Sequence, residues 1–190
     1  MPADKFAEAI ISEMKSAIGQ GGESFDSSTP IKANQAIAKA ITDYLTENTK
    51  IVVSYSGVIT STGSSDPLVV DTLSIVGTCK PPGTASNFET WILELGLNIQ
   101  SGFLLSNGTD GIVPAPSPCF VGSPLVILGD DLKQLHVNNL DSKDLQKLIW
   151  EFICNKIIAW LNLMVGAPYT GVNSNTGSVG AGESTKTIVS

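Results

Sequence analysis

The hydrophobic period of this chain changes at Asn48, and that change constrains the fold more than any other feature. Between residues 31 and about 47, apolar residues recur every three to four positions, as on one face of a helix. After Asn48, the letters KIVVSYSGVIT alternate between apolar and polar side chains, as in a strand with one buried face. A turn and a second β-branched stretch at 68–77 follow, which favours a hairpin. The chain is therefore expected to combine helices with an antiparallel sheet.

Three further stretches have the period of amphipathic helices, at residues 3–18, 86–103 and 141–165. Ser86 and Glu89 have the spacing of a capping box at the start of the second of these. The third is apolar around most of its circumference, which is typical of a helix wrapped by protein on several sides. We therefore predict an α+β fold in which about four amphipathic helices pack on a small antiparallel sheet.

The Gly- and Pro-rich stretches predict where the domain begins and ends. Residues 1–30 read as an N-terminal helix and a flexible joint, so that the first helix is mobile or exchanged with a neighbour. Residues 31–165 form the globular α+β domain, within which VPAPSPCFVGSP is extended and LVILG is a short buried strand. Residues 166–190 are rich in Gly, Ser and Thr and contain few core-forming residues, which predicts a flexible C-terminal arm.

The charge composition restricts the partners of the chain. Charged residues make up 15% of the sequence, the net charge is −7, and all eleven basic residues are Lys. Arg supplies the forked contacts to phosphates and base edges, so its absence argues against sequence-specific binding of nucleic acid. A surface with so few charges suits burial against other subunits.

The closing letters GAGESTKTIVS resemble the phosphate-binding loop of heterotrimeric G-protein alpha subunits, which runs Gly-x-Gly-Glu-Ser-Gly-Lys-Ser. That loop needs a glycine before the Lys, a buried strand before it and a helix after it. Here Thr185 precedes Lys186, the polar letters NSNTGSV come before, and only three residues follow Thr187. We therefore do not expect the chain to bind a nucleotide.

No other stretch predicts catalysis, a cofactor or a metal. The letters GDD at 129–131 are interpreted as a turn or a helix start, because no further acidic motif accompanies them. His136 is the only histidine, and Asp66, Asp71 and Asp110 are isolated from one another in sequence. We expect no catalytic, cofactor-binding or metal-ligating residues, and hence no enzyme.

The three cysteines, Cys79, Cys119 and Cys154, are interpreted as buried free thiols, because none of them forms a C-x-x-C pair. A disulfide between Cys79 and Cys119 stays open at this point. The apolar stretch at 148–165 approaches the length of a membrane span, but Glu151 and Lys156 near its middle favour a buried helix. The amphipathic N-terminus does not have the pattern of a signal peptide.

Residues 32–77 resemble small virion structural proteins of tailed bacteriophages. In those proteins a helix of the type A-x-x-I-A-x-A-I-x-x-Y-L leads into an NT-x-V strand and a hairpin that contains proline, as it does here. The letters NFETWILELGLNIQSGF at 87–103 fit the same pattern. The resemblance implies a non-enzymatic subunit of the tail, neck or baseplate. Such a subunit is assembled in the host cytoplasm into a virion, with copies of itself and other virion proteins as partners, and with no small-molecule substrate.

Two other functions are compatible with the sequence. The first is a surface module that binds carbohydrate or protein, with Tyr55, Trp91, Trp150 and Trp160 as the available stacking platforms. The second is an assembly chaperone, or an enzyme whose site has no recognisable motif. The sequence does not determine the virion component, the copy number, the neighbours or the host.

Overall fold

A computed structural model describes residues 3–19, 28–59, 61–85, 87–140, 142–164 and 168–189. Five helices and seven strands lie within these residues. In chain order they are α1 (Ala3–Ile18), α2 (Thr29–Asn48), β1 (Thr49–Ile59), β2 (Ser64–Ser65), β3 (Val69–Gly77), α3 (Phe88–Gly102), β4 (Phe103–Gly108), β5 (Ile112–Pro114), α4 (Gly129–Asn138), α5 (Leu145–Leu163), β6 (Pro168–Asn173) and β7 (Val179–Val189).

The chain forms two compact units, each assembled from separate stretches of sequence. The helical unit lies within Met1–Tyr44, Thr78–Ile99 and Pro124–Trp160, and the sheet unit within Leu45–Gly77, Gln100–Ser123 and Leu161–Ser190. The α+β class is confirmed. The described residues contain one helix more than the predicted four, because the GDD letters begin α4.

In the helical unit, α1 packs on its own chain. The Phe6 ring stacks on Tyr44 of α2, with ring centroids 3.8 Å apart. Lys39 of α2 forms an ion pair with Glu13 at 2.7 Å, and Lys147 of α5 forms one with Glu8, also at 2.7 Å. The structure thus places α1 against α2 and α5, where the sequence suggested a mobile or exchanged helix. Most of the predicted joint at 19–30 lies outside the described residues.

Two details of the helical unit differ from the sequence predictions. The side chain of Asn87 accepts a hydrogen bond from the Thr90 N–H at 2.8 Å, so Asn87 caps α3. The predicted capping residue Ser86 lies outside the described residues. The LVILG letters are not a strand. Leu125 and Ile127 are buried in an extended segment, and a Cβ at Gly96 of α3 would lie 2.7 Å from the Leu125 Cβ. Gly96 therefore lets this segment approach α3 closely.

The sheet unit is a nearly closed antiparallel sheet in the order β4-β3-β1-β7-β6-β5, with β2 paired to β1. The predicted hairpin is confirmed, since β1 and β3 pair from Lys50–Ser74 to Tyr55–Val69. The Pro-rich segment after β5 leads back to β4, where the Leu105 N–H bonds the Ser117 carbonyl at 3.1 Å. Phe103 begins β4, although the helical pattern extended through it.

The predicted C-terminal arm is wrong for the described residues 168–189. These residues form β6 and β7, and β7 pairs with β1 on one side and with β6 on the other. The most Gly-rich part of the chain therefore lies in the middle of the sheet. Among the described residues, no helix has both the length and the apolar character needed to cross a membrane.

Candidate functional site

The packing on the inner face of the sheet explains why glycine occurs in the GAGES letters at 180–184. Tyr55, Gly182 and Tyr169 are neighbours on β1, β7 and β6, and both tyrosines are buried. A Cβ at Gly182 would meet the Tyr169 hydroxyl, and a Cβ at Gly57 would lie 2.8 Å from the Tyr55 Cε1. The glycines therefore leave the space that the two rings occupy.

The phosphate-loop letters thus have a structural role as a strand. Gly180 and Gly182 lie on the inner face, while Ala181 and Glu183 alternate with them on the outer face. A phosphate loop needs consecutive free backbone N–H groups that surround the anion. Residues 179–183 instead pair with β1 on one side and with β6 on the other, and the rest of β7 pairs with β1.

Two buried carboxylates hold the turns at one end of the sheet. Asp71 of β3 is 1% exposed and accepts hydrogen bonds from the Thr72, Asp110 and Ile112 N–H groups at 2.6, 2.9 and 3.1 Å. It also accepts one from the Thr109 hydroxyl at 3.1 Å. Because the donors lie in β3, in the β4–β5 connection and at the first residue of β5, Asp71 fixes that connection to the sheet.

Asp66 does the same for the β6–β7 turn. Its Oδ2 accepts hydrogen bonds from the hydroxyls of Thr176 at 2.9 Å and Ser178 at 2.5 Å. The Tyr55 hydroxyl reaches the same turn and donates to the Ser178 carbonyl at 2.8 Å. Burial, the nearby Asp71 carboxylate and Tyr55 together raise the pKa of Tyr169 well above its usual value. Asp66, Thr176, Ser178 and Tyr55 form an interior polar network with a structural role.

The outer face of the sheet carries a concave space, which we call the hydroxyl groove. It has a volume of about 610 Å³ and lies across β1, β7 and β6. The groove residues that carry side-chain oxygens on this face are Ser54, Ser56, Ser117, Thr170, Glu183 and Thr185. Within this set Glu183 supplies the one charge, so the groove can accept hydrogen bonds and attract a cation.

A β-bulge distorts β7 at the hydroxyl groove. Val52 of β1 pairs with Lys186 and Val53 pairs with Ser184, which leaves Thr185 as the extra residue. The Thr185 hydroxyl donates to the Val52 carbonyl at 3.2 Å. The bulge keeps both Ser184 and Thr187 buried, although they are three positions apart. The extra residue therefore lets the alternation of buried and exposed positions resume at Thr187. Thr185 itself is exposed on the same face as Glu183.

A row of four exposed valines borders the hydroxyl groove. Val58, Val179, Val172 and Val113 are successive partners on β1, β7, β6 and β5. Their exposed fractions are 50, 52, 40 and 39%. Directly paired residues point to the same face of a sheet, so the valine row is a continuous apolar strip on the outside.

The residues named as candidates from the sequence do not form a site. Tyr55 is fully buried and Trp150 is 8% exposed, so neither can stack on a sugar. The Trp91 Nε1 donates to Asn34 at 3.1 Å inside the helical unit. His136 lies exposed on α4. In the described part of the chain, no three His, Cys, Asp or Glu side chains are grouped in a way that could hold a metal ion.

The three cysteines are free and buried, as the sequence predicted. Burial raises the pKa of the Cys79 thiol to about 12 and raises those of Cys119 and Cys154 further. A thiol whose pKa is higher in the folded chain favours folding below its usual pKa of 9.0 and favours it progressively less from there towards 12.

We therefore expect the native chain at pH 8 to react with a disulfide reagent such as DTNB at least about a hundredfold more slowly than the urea-unfolded chain, because only the thiolate attacks. Absorbance of the released thiolate measures this, with the unfolded chain giving three equivalents as the control. Fast release of one equivalent from the native chain would contradict it.

No protein-family model, curated protein or solved structure matches this chain.

Proposed function

We propose that this chain is a non-enzymatic structural subunit of a phage virion, in the tail, neck or baseplate region, which assembles with copies of itself. The setting comes from the resemblance of residues 32–77 and 87–103 to small virion proteins. The observation that carries the assembly is the valine row on the outside of the sheet. Contacts through a C-terminal arm, suggested by the sequence, are replaced by contacts through this face.

The chemistry of the valine row supports a second copy as its partner. The chain has a net charge of −7, so two copies repel each other over most orientations. The row contains no carboxylate, and it continues onto Ser65 of β2, which pairs with Val58. Two acidic chains can therefore meet along it without burying like charges, while removing four exposed β-branched side chains from water.

Val58→Asp and Val179→Asp are each expected to weaken self-association by at least about tenfold, because a carboxylate in the row would be buried unpaired. Multi-angle light scattering and sedimentation velocity over a concentration series measure the association. Val126→Asp is the matched control, since Val126 is 66% exposed in the helical unit, outside the row. A wild-type chain that stays monomeric at every concentration would refute the proposal, as would equal association of all the variants.

A binding module for another protein is the second candidate, and the hydroxyl groove is the observation that favours it. Binding of a carbohydrate is not favoured, because Tyr55, the aromatic residue expected to stack on a sugar, lies in the interior.

A further inference from the structure

The hydroxyl groove is built from residue types that weaken a strand. Ala and Pro are depleted in strands, yet Ala181 and Pro168 occupy outer positions of β7 and β6, on the same face as Ser54 and Ser56 of β1. The inner glycines are explained by the tyrosine rings and the β1 backbone, but no inner packing explains small residues on the outside. Positions that depart from local preference without a packing reason are candidates for function. Here the small side chains keep the groove open.

Glu183 lies in this groove, and within the described residues its carboxylate forms no ion pair or hydrogen bond. Among the lining residues whose side chains the structure describes, the other polar groups are hydroxyls, and none is a Lys or a His. The groove therefore offers one anionic acceptor surrounded by several neutral acceptors.

We propose that the hydroxyl groove binds a primary ammonium group, held by the Glu183 carboxylate. An ammonium has three N–H donors and no acceptor, which fits one carboxylate and two hydroxyl oxygens. A divalent cation would need several oxygen ligands at fixed distances, and one carboxylate supplies too few. A phosphate would be repelled by Glu183. Thr185 is exposed on the same face as Glu183, and its hydroxyl, which donates to the Val52 carbonyl, keeps lone pairs that can accept from the ammonium.

Two sources can supply the ammonium: a lysine side chain of a second copy, or a free amine. The first source rests on the proposed function, because it needs the chains to assemble. The second is independent of assembly. The two sources share one chemistry at Glu183, so one substitution tests both.

The first experiment titrates the chain with n-butylammonium chloride, and with sodium chloride at equal ionic strength, and follows backbone amide NMR shifts. We expect saturable shifts at Thr170, Ala181 and Thr185 with the amine only, and about fivefold weaker binding in Glu183→Gln. Glu47→Gln is the matched control, because Glu47 is an exposed carboxylate outside the groove and its substitution removes the same charge.

The second experiment treats a mixture of ¹⁴N- and ¹⁵N-labelled chains with a carbodiimide, which couples carboxylates to amines in contact. A mixed-isotope peptide that joins Glu183 to a lysine identifies a second copy as the source. Butylammonium shifts that depend on Glu183, with no such peptide, support a free amine. Equal shifts with both salts and no coupling at Glu183 overturn the inference. Light scattering on the same samples separates this outcome from a failure of the proposed assembly, which would show as a monomer whatever the groove binds.

Discussion

Gly180→Ala is expected to lower the free energy of unfolding by about 3 kcal/mol, because the new methyl group would clash with backbone atoms of the neighbouring strand β1. A Cβ at Gly180 would meet the Ser56 carbonyl oxygen and the Gly57 Cα, and would lie 2.8 Å from the Ser56 carbonyl carbon. No rotamer change can relieve such a contact. The β1 and β7 backbones would have to separate in the middle of the sheet.

Urea unfolding followed by circular dichroism measures this loss. Ala181→Ser is the control, since it adds one atom at the neighbouring position on the open outer face and should change stability by less than about 0.5 kcal/mol. The comparison also tests the phosphate-loop interpretation, in which a glycine substitution would weaken anion binding and leave the fold intact. Equal stability of Gly180→Ala and the wild type would refute the strand geometry.

The four predicted helices, α1, α2, α3 and α5, could be recognised because the hydrophobic period of each lies within its own segment of sequence. The stripe of Phe6 and Ile10 in α1 recurs every four residues, and the period of one segment is enough to define it. The hairpin of β1 and β3 was equally local, since the buried Ile51, Val53 and Tyr55 alternate with half-buried residues within one strand.

The strands β6 and β7 were not predicted because side chains and backbone of neighbouring strands fill the interior next to them, so β7 has few large apolar residues of its own. At the inner position Gly182 the Tyr169 ring fills the space that a side chain of β7 would occupy, and at Gly180 the β1 backbone at Ser56 and Gly57 fills it. The bulge at Thr185 then breaks the alternation between Ser184 and Thr187. A sequence reading that looks for apolar residues at every second position finds none here and predicts an arm.

The candidate sites were not predictable for a similar reason. The hydroxyl groove brings Ser54 together with Thr170 and Glu183, each of which lies more than a hundred positions from Ser54 in sequence. Single serines and one glutamate have no motif that would relate them. The valine row is likewise defined only by strand register, because each valine comes from a different strand.

Asp71→Asn is expected to cost about 3 kcal/mol of stability, because the amide presents a donor where the carboxylate now accepts. Asp71 uses both oxygens: Oδ1 receives the Thr72 N–H, the Asp110 N–H and the Thr109 hydroxyl, and Oδ2 receives the Ile112 N–H. Asparagine keeps one acceptor oxygen, so its NH₂ group would face one of these N–H donors inside the protein. The charge that strengthens the remaining hydrogen bonds would also be lost.

Gly108 leaves the space that the Asp71 carboxyl group occupies, since a Cβ at Gly108 would lie 2.5 Å from the Asp71 Cγ. Asp110→Asn makes the same chemical change at an exposed side chain and should be nearly neutral. Thr109→Val removes only one hydroxyl donor and should cost about 1 kcal/mol, which keeps the test readable if Asp71→Asn does not fold. Urea unfolding of the three variants then gives a graded series. If Asp71→Asn were no less stable than Asp110→Asn, the carboxylate would not be what holds the β4–β5 connection on the sheet.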